Sequence, residues 1–278
     1  MSDVERYVRP PSAESAGEAP GRGRLEGRRV LVVGGGQRVV DAATDPVGNG
    51  RAMCLLFARE GAQVAVADRN GASAEETVGL ITGEHGSAFA IEADITTEGD
   101  VARMVAEARD GLAGLDGLVL NVGIGAGRLG LAGVAVDDWD TTLATNLRGP
   151  MLCCREALPV LAEGSSIVFI SSVAGITSGS QLPAYDASKA ALGGLMRHVA
   201  REGARRGIRA NVIAPGLVDT PLGRLASAGR PSRNRANVPF GRQATAWEVA
   251  YAVLFFISDE SVYVTGQILA VDSGLTGL

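Results

Sequence analysis

Tyr185 and Lys189 lie four residues apart in the stretch YDASKAALGGLMRHVA, which reads as a helix, so both side chains project from one helix face. A free tyrosine titrates near pH ~10, and an adjacent ammonium favours the phenolate, which makes Tyr185 a candidate general acid/base. The same spacing also describes an ordinary solvated helix face. Ser172, at the end of the strand IVFIS and 13 residues before Tyr185, makes the constellation more specific.

A second set of residues suits phosphate chemistry. The strand VLVV runs into Gly34-Gly35-Gly36, and Gly48-Asn49-Gly50 opens a helix that begins Arg51-Ala52-Met53. Glycines at a strand-to-helix turn let the backbone approach a pyrophosphate, whose charge is met by the helix N-terminus. With 38 Gly in the chain, a flexible turn is an equal reading of the glycines taken alone. Asp68 sharpens it: it ends the next strand, 18 residues after Gly50, where a carboxylate can bond the adenosine ribose hydroxyls and repel a 2′-phosphate. NAD is therefore favoured over NADP, although Arg69 and Arg38 offer charges that could pair with a phosphate. Asp94-Ile95 and Asn121-Val122-Gly123 stand at the carboxyl ends of two further strands, where such sheets bind ligands; Asp94 serves equally well as a helix cap.

The elements that must position these residues follow from the apolar pattern. Short runs at 28–33, 62–68, 87–94, 115–121, 166–171, 208–214 and 267–272 alternate with segments of helical length. Runs apolar on both faces are those of a parallel sheet covered by helices on both sides, so the class is α/β, a Rossmann-type doubly wound sheet. Thr97 and Asp100 have capping-box spacing before one helix. No repeat or second domain interrupts the alternation from 25 to 278. Residues 1–24, mixing both charge signs with Pro, Gly and Ser, read as a disordered arm.

Composition removes several function classes. Lys plus Arg number 26 against 31 Asp plus Glu, a net charge of −5 that gives nucleic acid no basic excess to bind. The longest apolar stretch, VAYAVLFFI, falls far short of the ~18–20 residues that cross a bilayer. Three Cys, two of them adjacent, suggest no disulfide framework, and a reducing cytoplasm fits best. The two His are isolated from each other and from any cluster with metal-ligand spacing, so no metal site is expected.

Taken together, the glycine turn, Asp68, Asp94, Asn121-Val122-Gly123, Trp139 with Asn146 seven residues on, Ser172, Tyr185-x-x-x-Lys189, Asn211 to Pro215-Gly216 and the ending from Tyr263 to Asp272 resemble the short-chain dehydrogenase/reductase family over nearly the whole domain. The resemblance implies seven parallel strands in one sheet and a catalytic set of Asn146, Ser172, Tyr185 and Lys189. In that set Tyr185 exchanges a proton with the substrate oxygen and Ser172 hydrogen-bonds that oxygen. Lys189 binds the nicotinamide ribose and depresses the tyrosine pKa, and Asn146 holds a water relaying protons from Lys189. Pro215, Gly216, Val218 and Thr220 are implied to line the nicotinamide, and a homotetramer or homodimer is the implied assembly.

The chain departs from that family in two places. Val33 replaces the usual Thr, and thirteen residues, Gly35 to Val47, separate Gly34 from Gly48 where three are usual. The ten added residues show no helix or strand period, so a protruding loop is expected, folded over the adenosine side or meeting a neighbouring subunit. Leu120 replaces a common Asn. The family's variable lid falls at 221–241, where Arg224, Arg230, Arg233 and Arg235 either favour an anionic substrate or form a solvated basic loop. The expected activity is hydride transfer between NAD(H) and a small-molecule secondary alcohol or ketone. A 3-oxoacyl thioester reductase using NADPH and a non-catalytic dinucleotide sensor are the alternatives.

Overall fold

The computed structural model describes residues 10–41, 43–126, 130–177, 180–227 and 238–277. Seven strands form one parallel sheet: β1 (Arg29–Val33), β2 (Gln63–Asp68), β3 (Ser87–Glu92), β4 (Gly117–Leu120), β5 (Ser166–Ile170), β6 (Arg209–Pro215) and, last in the chain, β9 (Ile268–Val271). Their order across the sheet is β3-β2-β1-β4-β5-β6-β9. The chain reverses direction of growth between β1 and β4, so the carboxyl ends of these two neighbours frame the crevice in which such sheets take ligands. A two-stranded pair, β7 (Val218–Asp219) with β8 (Ala244–Thr245), follows β6.

The central strands are apolar on both faces because both faces are covered. Leu31 and Val33 of β1 join one core cluster with Leu118, Phe169 and Met196. Val30 and Val32, pointing the other way, join a second with Phe57, Val119, Val168 and Phe256. The first cluster is covered by α4 (Glu98–Gly111), α6 (Gly149–Ala157) and α7 (Pro183–Gly203), the second by α2 (Asn49–Arg59), α3 (Gly71–Gly83) and α9 (Ala246–Ile257). Leu120 is buried in the first cluster, which explains how the sheet tolerates it where Asn is usual.

Two expectations are corrected. Residues 10–24 are not a loose arm. Ser12 caps a short helix, α1 (Ala13–Ala16), the Ser15 hydroxyl donates to Glu248, and the Thr245 hydroxyl donates to the Ser15 carbonyl. The backbone N–H groups of Arg22 and Arg24 donate to the fully buried Glu60 carboxylate, which also takes the Arg24 guanidinium at 2.6 Å. Composition pointed to disorder because these contacts are polar and distant in sequence; residues 1–9 lie outside the described residues. The Thr97–Asp100 box also fails to form: α4 starts where expected, but the Asp100 carboxylate accepts from the Asp94 N–H instead, and Thr97 makes no side-chain cap bond.

Candidate active site

Lys189 sits on the buried face of α7, with its ammonium donating to the Ile170 carbonyl at the end of β5 (3.0 Å). Burial pushes its pKa down to about 8. The half-buried Tyr185, one helical turn earlier, presents its ring to that ammonium, 5.7 Å from centroid to Nζ. The backbone of Gly123 closes the other side: a Cβ there would lie 2.9 Å from Nζ. The Lys189–Tyr185 pairing read from the spacing is thus a pairing in space, and it lies at the carboxyl end of the sheet.

Ser172 follows β5 in extended conformation, and its Oγ accepts from the Ala174 N–H, starting a short 3-10 turn over Val173–Gly175. That bond leaves the hydroxyl proton free to donate. The adjacent Ser171, which sequence reasoning passed over, is buried and donates to the Lys189 carbonyl at 2.7 Å. Only its place in the run IVFIS-S hinted at a role.

Asn146 is fully buried in a π-turn, Ala144–Arg148, between α5 (Val136–Leu143) and α6. The Gly149 N–H reaches back five residues to the Ala144 carbonyl, a widened turn of the kind often found at functional sites. Its side chain accepts from the Ile124 N–H and donates to the Ile124 carbonyl and to the Ser188 hydroxyl. Asn146 therefore clamps the segment after β4 to α7, and its amide N–H groups are already committed.

The glycine turn forms despite the ten extra residues. Gly34 has φ +83°, and the Asn121 side chain donates to its carbonyl at 2.8 Å. Gly50 passes so near that a Cβ would fall 1.9 Å from the Gly34 oxygen. Helix α2 begins at Asn49 with Gly48 as N-cap and no side-chain cap, and Asn49 Oδ1 is buried without a hydrogen-bond partner. An uncapped helix N-terminus and an orphaned acceptor at the switch point are what a dinucleotide's pyrophosphate and ribose would satisfy, so the residues present fit that group. Gly36 sits against Asp68, whose Oδ2 accepts from the Gly36 N–H and Oδ1 from the Asn70 N–H. Arg69 and Arg38 are exposed nearby.

Other predicted contacts are partly engaged elsewhere. Asp94 Oδ1 accepts from both the N–H and hydroxyl of Thr96, a local turn ahead of α4 rather than a cap of that helix, whose N-cap is Thr97. Ile95 is buried, with both its side chain and its carbonyl against Gly149. Gly216 donates to the Val271 carbonyl, fixing the turn after Pro215. Thr220 Oγ1 accepts from the Gly223 N–H at the start of α8 (Pro221–Ser227), again leaving its proton to donate. Of the four lid arginines, Arg224 is committed to Asp219 through two guanidinium nitrogens, at 2.7 and 2.9 Å; Arg230, Arg233 and Arg235 lie outside the described residues. Among the described residues there is no cluster of metal ligands and no helix long and apolar enough to cross a membrane. All three cysteines are buried, with thiol pKa values raised by burial, that of Cys153 to about 12.

A glycine turn at the switch point, with a half-buried tyrosine against a buried lysine, is an arrangement suited to dinucleotide-dependent oxidoreduction. A family model described as Enoyl-(Acyl carrier protein) reductase matches residues 43–276. A Glucose 1-dehydrogenase of Gluconobacter oxydans is 37% identical, covering 93% of this chain and 95% of its own. A human 3-oxoacyl-[acyl-carrier-protein] reductase is 36% identical, covering 89% and 98%. Among solved structures, a short chain dehydrogenase from Burkholderia cenocepacia in complex with NADP superposes with a TM-score of 0.80 at 32% identity, covering 90% of this chain and 98% of that one. The chain belongs to the short-chain dehydrogenase/reductase family and is an NAD(P)-dependent oxidoreductase.

Proposed function

We propose that the protein interconverts a secondary alcohol and a ketone with NAD(H) as the favoured cofactor. The observation that carries this reading is the desolvated Lys189 ammonium held between Gly123 and the Tyr185 ring. The nicotinamide, when bound, takes or gives the hydride. In the oxidative direction Tyr185 accepts the alcohol proton as the carbonyl forms; in reduction it returns that proton to the developing alkoxide. The positive charge of Lys189 lowers the cost of the phenolate. Ser172 donates to the same substrate oxygen and holds it near the phenol. Asn146 keeps Ile124 and Ser188 in register around Lys189, and a water relay beside it completes the set.

Asp68 supports NAD(H), because a carboxylate where the adenosine ribose docks repels a 2′-phosphate. Gly34, Gly36, Gly48, Asn49 and Gly50 receive the pyrophosphate in this reading. Asp94, Ile95, Asn121 and Gly123 flank the adenosine and ribose, and Pro215, Gly216, Val218 and Thr220 the nicotinamide. An apolar groove between α5, α6 and α7, lined by Leu143, Leu147, Met151 and Leu195, supports assembly as a homotetramer or homodimer. The buried reduced cysteines suit a cytoplasmic protein.

The relatives' names differ in substrate, and a 3-oxoacyl thioester is the second candidate because of the human relative. Oxidation of NADH, followed optically with a panel of simple ketones and a 3-oxoacyl thioester, separates the two. Tyr185→Phe is expected to abolish turnover while retaining NADH binding. Turnover by that variant at the wild-type rate would overturn the proposed chemistry.

A further inference from the structure

The inserted loop is not an isolated protrusion. Its base is fixed at Ser73, whose hydroxyl accepts from the Gln37 N–H and donates to the Gln37 carbonyl, and the Gln37 side chain accepts from the Gly48 N–H. Its tip is a turn tied by two carboxylates. Asp45 accepts from the N–H groups of Val40 and Asp41, and Asp41 accepts from the Ala43 N–H and the Thr44 hydroxyl. From that tip the Thr44 carbonyl accepts from Arg224 at 2.6 Å, 180 residues on in the chain. The same guanidinium grips Asp219 with its other two nitrogens. Asp219 lies between Val218 and Thr220, the residues proposed to face the nicotinamide.

We propose that Arg224 is a positioning residue that couples the adenosine–pyrophosphate end of the site to the nicotinamide end, by locking the inserted loop to β7 and the start of α8. The inference rests on the reading that the glycine turn takes a dinucleotide. A loop anchored at Gln37 and Gly48 moves with the ligand that fills the turn, and Arg224 hands that displacement to Asp219 without any bond through the ligand. Both Arg224 and Asp219 are half-exposed, so the pair adds little to global stability; its effect is to bias the position of two local segments. The three donors of one planar guanidinium are held in fixed relation, which is why Arg suits the task and Lys does not.

The test uses ADP, which occupies the adenosine–pyrophosphate end and is too short to touch Val218 or Thr220. Amide hydrogen exchange is followed in residues 34–50 and 219–227 of the full chain, with and without ADP. In the wild type, ADP is expected to slow exchange in both segments, by about two- to fivefold in the distant one. In Arg224→Ala and Arg224→Lys the slowing at 34–50 persists and that at 219–227 is lost. Asp45→Ala, which unties the loop tip from the opposite side, has the same effect, and the Arg224→Ala/Asp45→Ala double variant is no worse than either single one. Slowing confined to 34–50 in the wild type would overturn the coupling while leaving the dinucleotide reading intact. No slowing in either segment would overturn the dinucleotide reading, and the coupling with it.

Discussion

The Ser171 hydroxyl donates to the Lys189 carbonyl while the Lys189 ammonium donates to the carbonyl of Ile170, the residue before Ser171, so the end of β5 and the middle of α7 are stapled from both sides. The staple sets the depth of Lys189 beneath Tyr185. Ser171→Ala removes one buried bond worth about 1 kcal/mol and lets the helix slide. A loss of roughly tenfold in kcat with little change in the KM for NADH is expected from the misplacement, and steady-state kinetics checks it.

Lys189 makes opposite demands on stability and chemistry. Its pKa in the fold is about 8 against 10.5 for the free side chain, so between those values the unfolded chain holds more protons and the folded state gains stability as pH rises. Below pH 8 the fold carries the full cost of a buried ammonium, on the order of 3 kcal/mol. Lys189→Met is therefore expected to be at least as stable as the wild type at pH 7 and to lose the rise between pH 8 and 10.5, while activity falls by about a hundredfold or more. Urea denaturation across that pH range reads the sign.

Gly123→Ala would place a Cβ 2.9 Å from Nζ and 3.3 Å from Cε of Lys189. The flexible end of the lysine is what gives way, so the variant is expected to fold and to lose about ten- to a hundredfold in kcat. Circular dichroism and steady-state rates together test this.

Gly50→Ala presents a different conflict, with the Gly34 carbonyl 1.9 Å from the new atom. The Gly34 carbonyl is backbone and the new Cβ is fixed rigidly to the helix, so the turn itself must open. NADH binding is expected to weaken by at least about a hundredfold, with some loss of stability, and calorimetric titration is the check.

Glu60 holds the N-terminal segment to the fold. Its side chain is fully buried and accepts from Arg22, Arg24 and the Arg24 guanidinium, which hold its pKa below the usual carboxylate value against the opposing effect of burial. Its stabilising contribution is present above the unfolded value near 4.5 and declines as pH falls below it. Glu60→Ala is expected to cost about 3 kcal/mol and to expose residues 10–24 to proteolysis. Chemical denaturation and limited digestion measure the two effects.

Much of the fold was legible because the central strands are apolar on both faces, the pattern of a parallel sheet covered by helices on both sides. Tyr185, Lys189 and the glycine turn were legible because their spacing is local. What escaped were bonds whose partners are far apart in sequence. Arg224 looks like one of four equivalent basic residues until Asp219 and Thr44 meet it, and Ser171 looks like filler beside Ser172 until α7 packs on it. The segment around Ser15 and Arg24 has a disordered composition because Glu60, Thr245 and Glu248 supply its order. Asn146 was readable as important, but the π-turn that buries it has no signature in residue type.

The central claim is that a glycine turn lengthened by ten residues still receives a dinucleotide, with Asp68 selecting against the 2′-phosphate. Titration of the purified protein with NADH and NADPH, in the wild type and in Asp68→Ala, tests it most directly. NADH is expected to bind at least about tenfold more tightly than NADPH, and Asp68→Ala to narrow that ratio by relieving the repulsion. Equal or tighter binding of NADPH by the wild type would contradict the role of Asp68, and failure of both to bind would contradict the claim that the lengthened turn is a cofactor site.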